Sequence, residues 1–385
     1  QGLSFEQLGI YPLSETHPSY DPLAVWQVFC KHFSLFDGTP TGLWIQNELS
    51  MVFGIDDKPD AHNAEDLFMQ IQGALDREEF TPRQLFQQFK IETLCTTDAP
   101  EASLDAHQAI KASGWEGDIR PTFRADKLIH IGLPGWVQRI GALGALLGIE
   151  PTTYKRYLRA IRERREAFRA QGAVATDHSV QSPYTCQLSD QEAESIFQKG
   201  LKQKVSPNEA QQFIGHMILE MAKMSLDDGL VIQLRAGPFR NHSTQVFETF
   251  GPDRGFDVPL KVEWTRNLRP LLEAFGLDPR LRIILFSLDE SNYSRELAPL
   301  AGAYPAVKLG PPWWFHDSPN GMLRYFTNVI ETAGLENTVG FNDDTSAFLS
   351  IPARHDLWRR ISALWLAKLV HQGQLDHAAA EHRMA

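Results

Sequence analysis

The sequence predicts an α/β fold of the (β/α)8 TIM-barrel type with large helical insertions, and three observations support this prediction. Short apolar or β-branched segments recur along the chain, and helical segments separate them. This alternation is typical of parallel strands joined by crossover helices. The third observation is the length of 385 residues, which suits two domains or one large barrel with an insertion.

The composition is that of a folded, enzyme-sized protein. Hydrophobic residues make up 43% of the chain and charged residues 22%, which excludes a disordered chain. The net charge of −11 argues against a nucleic-acid partner, because phosphate binding needs a surplus of Lys and Arg. No apolar run approaches the length of a membrane span, and no secretory signal is visible.

The three cysteines, Cys30, Cys95 and Cys186, are widely spaced. This spacing predicts neither a disulfide framework nor a cysteine zinc site. We therefore expect a cytoplasmic enzyme with a small-molecule substrate and without nucleic-acid or membrane partners. Assembly into a homo-oligomer is left open.

Residues 1–90 are predicted to form a mainly helical N-terminal subdomain. Asn63 precedes a segment with one apolar stripe, which is typical of a capped helix. Thr81 is followed by Pro82 and Gln84, which predicts a further helix that begins with a capping box.

Residues 91–385 are predicted to form the barrel. The predicted strands are 91–95, 120–123, 231–234, 282–287, 306–309 and 338–341. The predicted helices between and after the later strands are 260–275, 291–303, 318–333 and 355–371. Six strand–helix units are two short of a closed barrel, so we expect the barrel to begin before Gln1.

One long gap interrupts the strand spacing. Between Phe123 and Val231 we find helix signals only, including one helix that ends near Gly172. Ser189 and Ser206 each have a Glu three residues later, which predicts two capping boxes. These signals predict a helical insertion within the barrel at 130–228.

In such a barrel the functional side chains lie at the carboxyl ends of the strands. The candidates at these positions are Thr96, Thr97, Asp98, Arg124, Arg235, Arg240, Asn241, His242, Asp289, Trp313, Trp314, Asp343 and Asp344. Arginine, tryptophan and carboxylate together suit a small anionic, polyhydroxylated ligand and are compatible with a metal.

Each candidate also has a structural interpretation. Asp343 and Asp344 could start a turn, Trp313 could pack in the barrel, and Arg124 could belong to a structural ion pair. The 13 histidines include no His-x-His or His-x3-His pair, so no specific metal motif is present. The residues alone predict an α/β barrel enzyme that acts on a small anion.

Four motifs resemble those of the uronate isomerases, a family of the amidohydrolase superfamily. Residues 94–100 (Leu-Cys-Thr-Thr-Asp-Ala-Pro) resemble the family's Thr-Thr-Asp-Asp-Pro segment, and residues 120–127 (Arg-Pro-Thr-Phe-Arg-Ala-Asp-Lys) its Arg-Pro-Thr-Phe-Arg-Pro-Asp-Lys. Residues 310–317 (Gly-Pro-Pro-Trp-Trp-Phe-His-Asp) resemble Gly-Pro-Ala-Trp-Trp-Phe-Asn-Asp. Residues 344–350, followed by Arg354 and His355, resemble Asp-Ser-Arg-Ser-Phe-Leu-Ser and then Arg-His.

The resemblance implies an aldose–ketose isomerase that interconverts D-glucuronate with D-fructuronate and D-galacturonate with D-tagaturonate. It implies one divalent metal, usually zinc, held by Asp344 and by a His-x-His pair expected upstream of Gln1. Asp344 is also expected to carry the catalytic carboxylate. The substrate-binding residues that it implies are Arg124 for the carboxylate, Trp313 and Trp314 for the sugar pocket, and Arg240, Arg354 and His355.

Two substitutions depart from the family pattern. Arg235 stands where the family usually has histidine, and Ser346 replaces an arginine that helps to hold the substrate carboxylate. Two alternatives therefore stay open. One is a metal-dependent hydrolase of the amidohydrolase superfamily, and the other is a non-catalytic relative that binds a uronate.

Overall fold

A parallel β-sheet forms the centre of the molecule. The computed structural model describes residues 4–6, 10–14, 21–254, 256–345 and 347–384. The described strands are β1 Thr93–Asp98, β2 Asp118–Arg124, β3 Ala175–Val180, β4 Val231–Ala236, β5 Pro238–Phe239, β6 Val258–Pro259, β7 Ile283–Ser287 and β8 Val307–Leu309. The main sheet has the order β1-β2-β3-β4-β7-β8, and its strand pairs are all parallel. Strands β5 and β6 form a separate antiparallel pair.

Helices precede the sheet, connect its strands and follow it. Those before the sheet are α1 Pro22–Lys31, α2 Pro40–Phe53, α3 Ala64–Leu75 and α4 Pro82–Gln88. Those up to β4 are α5 Asp105–Ala112, α6 Asp126–Ile129, α7 Trp136–Leu147, α8 Tyr154–Ala170, α9 Asp190–Leu201 and α10 Pro207–Asp228. The later helices are α11 Thr244–Phe250, α12 Arg269–Phe275, α13 Ala298–Ala303, α14 Pro319–Ala333, α15 Ile351–His371 and α16 His377–Met384.

Successive side chains of a strand point to opposite faces, and this alternation separates core from site. Thr176, His178 and Leu234 are fully buried in the layer between sheet and helices. In the same layer Phe123 meets Phe168 of α8 edge to face, with ring centroids 5.1 Å apart. The residues between them in sequence, such as Asp177, face the other side of the sheet. The apolar layer therefore fixes the strands, and the opposite face carries the polar groups.

Strand β3 corrects one prediction. The expectation of helix signals only between Phe123 and Val231 is wrong, because Ala175–Val180 pairs with both β2 and β4 in the middle of the sheet. Its sequence, Ala-Thr-Asp-His-Ser-Val, has few of the apolar residues that usually identify a buried strand. The proposed insertion at 130–228 thus contains a central strand of the sheet.

The last predicted strand is much shorter than expected. Residues 338–341 form one parallel bridge, Leu309 to Thr338, in place of a strand. Gly340 has a φ of +75°, which turns the chain away from the extended conformation. The remaining predicted strands lie within or overlap β1, β2, β4, β7 and β8.

The capping predictions have two outcomes. Ser189 with Glu192 and Ser206 with Glu209 form complete capping boxes at the starts of α9 and α10, as predicted. Helix α4 does begin after Thr81, but the Thr81 side chain makes no capping hydrogen bond. The Thr81 capping box is therefore wrong, although the helix start is right.

The α/β fold class is confirmed, with a parallel sheet and a large helical complement. The domain boundaries 1–90, 91–385 and 130–228 stay predictions. Within the described part of the chain, no helix has the length and apolar content needed to cross a membrane.

Candidate functional site

The carboxyl ends of β2, β3 and β4 bring together acidic and basic side chains. Arg124 is the last residue of β2 and lies in register with Asp177 of β3. Arg235, on the neighbouring β4, projects from the same face two residues beyond the partner of Asp177. The parallel register therefore places these three side chains side by side.

Arg235 links this cluster to Asp344. Its Nε and Nη2 donate to the two carboxylate oxygens of Asp177, with 2.8 Å between Nε and Oδ1. Its Nη1 donates to Asp344 Oδ2 over 3.1 Å. The paired fork on Asp177 is the geometry in which a guanidinium binds a carboxylate most strongly. The Arg235 guanidinium is thus turned toward two aspartates.

Arg124 is held by a second aspartate. Its Nε donates to Asp126 Oδ2 over 2.9 Å and lies 3.6 Å from Asp177 Oδ2. Asp126 is itself fixed, since its Oδ1 accepts the backbone N–H of Ser179 over 2.7 Å. The Arg124 side chain remains 35% exposed, and its terminal nitrogens make no hydrogen bond to another described residue. Arg124 thus combines a structural ion pair with a face that is open to a ligand.

Burial and charge shift the pKa values in this cluster. Burial raises the pKa of Asp177, although Arg235 and Arg124 beside it act in the opposite direction. Burial lowers the pKa of Arg124, but Asp126, Asp177 and Asp344 together outweigh this and raise it overall. Arg124 and Asp344 are linked through Asp177 and Arg235, because Arg124 Nε lies 3.6 Å from Asp177 Oδ2 and Arg235 binds both aspartates.

Trp313 and Trp314 follow β8 and border the cluster. The Trp313 indole Nε1 donates to Asp344 Oδ2 over 2.8 Å, and the Arg235 guanidinium lies 5.2 Å from the centre of its ring. Trp313 is buried, and its ring centre is 4.7 Å from that of Trp314. Arg240 lies over Trp314 at 4.8 Å and donates to Asp257 over 3.0 Å. These contacts join the predicted pocket residues to Asp344.

Arg354 is largely buried and ion-paired, which the sequence did not indicate. It donates to Asp317 and lies 4.6 Å from the centre of the Trp44 ring on α2. Its side chain is only 14% exposed. Burial raises the pKa of Asp317 to about 7 even though Arg354 opposes the rise. Contact of Arg354 with a substrate stays a prediction, and the structure shows Arg354 in a largely buried ion pair with Asp317.

The two adjacent aspartates have separate partners. Asp343 lies 3.4 Å from His355 Nε2, and His355 packs edge to face on Phe341. Asp344 instead faces Arg235 and Trp313. The two carboxylates are adjacent in sequence but contact different side chains. Ser346, which departs from the family pattern, lies outside the described residues.

Two residues of the site have left-handed backbone. Trp314 has a φ of +47° and Asp344 a φ of +44°. Non-glycine residues adopt this region at some energetic cost, and such residues cluster at functional sites. Both residues contact Trp313, Trp314 through its ring and Asp344 through its carboxylate.

The described residues do not fit a metal ion by themselves. Asp344 Oδ2 already accepts two N–H donors, one of them from a guanidinium. Among the described residues no group of three or more His, Cys, Asp or Glu side chains is arranged to hold a metal. Asp344 is therefore the one predicted ligand among the described residues, and the Arg235 guanidinium lies beside it.

Sequence reasoning missed Asp177, Asp126 and Asp317 as members of the site. Asp126 and Asp317 lie inside motifs that were recognised, so the carboxylates next to Arg124 and Trp314 were available signals. Asp177 had no comparable signal, because its strand was not recognised. Outside the cluster, Thr96 and Asp98 bond to each other at the end of β1, and Asp289 caps a short turn after β7.

The fold and this site define a class: an α/β enzyme with a cluster of arginine and aspartate side chains at the carboxyl ends of its parallel strands. A family model described as glucuronate isomerase matches residues 19–384. The chain is 50% identical over 376 residues to a uronate isomerase of Nostoc punctiforme, which covers 98% of this chain and 79% of that relative. The chain belongs to the glucuronate isomerase family, which confirms the resemblance seen in the motifs.

Solved structures agree with this assignment. The crystal structure of glucuronate isomerase from Caulobacter crescentus is 47% identical and matches with a TM-score of 0.96, over 100% of this chain and 80% of that one. Uronate isomerase from Thermotoga maritima is 29% identical and matches with a TM-score of 0.91, over 95% of this chain and 80% of that one.

Proposed function

We propose that this protein is a uronate isomerase that interconverts D-glucuronate with D-fructuronate and D-galacturonate with D-tagaturonate. The family assignment supports the reaction class. The observation that carries the proposal for this chain is the placement of Asp344 between Trp313 and Arg235, with Arg124 in the same cluster. This arrangement offers a carboxylate base and two cations to one small anionic substrate.

The reaction moves hydrogen within one molecule. The base removes the proton from C2 while the C1 carbonyl oxygen gains a proton, which gives an enediol. A proton then returns to C1, and the C2 hydroxyl loses its proton to become the ketone. C1 is reduced and C2 is oxidised, so no external oxidant is needed.

Asp344 is suited to the role of base. Trp313 and Arg235 both bind its Oδ2, which leaves Oδ1 without a hydrogen bond from the described residues. A carboxylate that is held in place in this way can take a proton from C2 and return it to C1. The fixed N–H donors also hold the carboxylate in one orientation throughout the reaction.

Arginines bind and stabilise the anionic groups in this proposal. Arg124 presents its terminal nitrogens to the substrate carboxylate, for which the planar guanidinium provides two parallel hydrogen bonds. Arg235 supplies positive charge beside the carbons that react. Trp313 and Trp314 form an apolar wall against the sugar in this proposal, with Arg240 over Trp314 and His355 beside Asp343 as the further polar groups.

The divalent metal, with zinc as its expected identity, and the His-x-His ligands stay predictions from the resemblance. The cytoplasmic location also stays a prediction. No step above depends on either of them.

The test is direct turnover. Purified protein is incubated with D-glucuronate or D-galacturonate, and the ketose products are followed by proton NMR, including solvent deuterium incorporation at C1 or C2. We expect the wild-type protein to convert at least one uronate. The Asp344→Asn variant is the negative control and should show little or no conversion. Binding of a uronate without any turnover would instead support the non-catalytic relative.

A further inference from the structure

Arg235 is held at both ends of its guanidinium. Nε and Nη2 are bound to Asp177, and Nη1 is bound to Asp344. Its flat face lies over Trp313, and its side chain is only 10% exposed. The guanidinium therefore has one fixed position, between a buried aspartate and the aspartate that the resemblance names as a metal ligand.

This position conflicts with a metal ion on Asp344. A zinc ion binds a carboxylate oxygen at about 2.0–2.2 Å. Since Nη1 of Arg235 is 3.1 Å from the same Oδ2, the ion and this nitrogen would be separated by at most about 5 Å. Two cations at that distance repel each other strongly inside a protein. A metal on Asp344 Oδ2 thus requires Arg235 to move.

Movement of Arg235 is costly because of Asp177. The Asp177 side chain is 4% exposed and would lose its bidentate partner inside the protein. A buried carboxylate without a partner is strongly unfavourable. Arg124 is a poor replacement, since its Nε is bound to Asp126 and lies 3.6 Å from Asp177. Asp177 therefore keeps Arg235 beside Asp344.

We propose that Arg235, positioned by Asp177, is the resident counter-ion of Asp344 and that a divalent cation gains access to Oδ2 of Asp344 only by displacing it. In this view Arg235 occupies part of the electrostatic role that a metal would have beside Asp344. The proposal concerns cation binding and does not depend on which uronate is the substrate.

The charges of the cluster make a sharp test available. The contacting groups are Arg124, Arg235, Asp126, Asp177 and Asp344, with a formal charge of −1. The double variant Arg235→Met/Asp177→Asn keeps this charge but frees Asp344. The control variant Arg124→Met changes the charge to −2 but leaves the Arg235–Asp344 contact in place. The two variants therefore separate displacement from overall charge.

The measurement is isothermal titration calorimetry of each protein, freed of metal, with zinc chloride and with manganese(II) chloride. We expect the double variant to bind at least tenfold more tightly than the wild type, and Arg124→Met to gain less than threefold. Adding Asp344→Asn to the double variant should abolish the gain. A larger gain in Arg124→Met than in the double variant, or no gain in either, would overturn the proposal.

Circular dichroism checks whether the double variant folds. If it does not fold, a second variant still tests the proposal. Arg235→Lys keeps the positive charge beside Asp177, but one ammonium group cannot reproduce the three N–H contacts to two carboxylates. It should raise metal affinity at least threefold. Unchanged affinity in a folded Arg235→Lys protein would also contradict the proposal. Uronate turnover is assayed separately, so failure of the isomerase proposal would be recognised independently.

Discussion

The indole Nε1 of Trp313 donates a hydrogen bond to Oδ2 of Asp344 over 2.8 Å. The two residues lie on different loops, one after β8 and one after the single bridge at Thr338. Trp313 packs with Phe286 and Leu288 in a small apolar cluster of its own. Because the Trp313 ring is packed in this cluster, the hydrogen bond fixes the position of the Asp344 carboxylate, which we expect to act as the base.

Asp344→Asn should reduce kcat for uronate isomerisation by about 10²–10⁴-fold, because an amide cannot take the proton from C2. Asp343→Asn is the matched control one residue away, because Asp343 pairs with His355 and not with Arg235 or Trp313. Asp343→Asn should reduce kcat by less than about fivefold, which corresponds to the loss of a weak ion pair. Equal losses in both variants would mean that the pair acts only through the turn.

Arg124→Leu should cost about 2–5 kcal/mol of transition-state stabilisation in kcat/KM, because a charge pair with the substrate carboxylate is lost. Arg120→Leu is the control on the same strand. Arg120 precedes Arg124 on β2 and is paired with Asp118. Its substitution should change kcat/KM by less than about threefold. A comparably small effect at Arg124 would remove it from the substrate site.

His178 should make stability dependent on pH. Burial lowers the pKa of His178 from 6.5 to about 4. Between these values the unfolded chain binds a proton that the folded protein does not, so stability falls as the pH drops from 6.5 toward 4. Urea unfolding of wild type and His178→Gln at pH 7 and pH 5 measures this difference. Between pH 7 and pH 5 the free energy of unfolding of the wild type should fall by up to about 2 kcal/mol more than that of the variant.

In the contrary case the two proteins would lose the same free energy between pH 7 and pH 5. His178 would then titrate alike in the folded and unfolded chain, which its complete burial against Thr176 and the helix layer argues against.

Gly310→Ala should destabilise the protein by about 1–3 kcal/mol through overpacking. A Cβ at Gly310 would lie 2.4 Å from the Phe286 ring, which supports Trp313. Gly73→Ala is the control, since a Cβ there meets nothing within 4 Å in the last turn of α3. It should stabilise the protein by about 0.5–1 kcal/mol, because Ala favours helix.

Urea unfolding of both glycine variants provides the measurement, together with kcat/KM. Only Gly310→Ala should also lower activity, since it displaces the rings around Asp344. Equal stability of the two variants would show that Phe286 adjusts without cost.

Much of the fold follows from local patterns. The apolar strands β4 and β7 and the capped helices α9 and α10 were predicted because their signals are contained in a few adjacent residues. Strand β3 was not, since Thr176, Asp177 and His178 are polar in its centre. Their partners come from β4 and from their own strand, and no local pattern reveals such pairing.

The sequence indicates which side chains end near one another, but not which of them bond to each other. Asp344 bonds to Trp313 directly and is connected to Arg124 through Arg235 and Asp177, because the parallel strands end at the same edge. The partners of Arg235 were open in the sequence, as they depend on the register of β3 against β4. Arg354 illustrates the limit, since its burial against Trp44 joins segments about three hundred residues apart in the chain.

The single bridge between Leu309 and Thr338 has a consequence for local opening. Among the described residues, no backbone N–H of 340–345 donates to a backbone carbonyl, so this loop is tied mainly by the side chains of Phe341, Asp343 and Asp344. A segment with so few backbone hydrogen bonds opens at low free energy compared with the sheet. An anion that bridges Arg124 and this loop would close it, so amide exchange at 340–345 becomes a direct report of substrate occupancy.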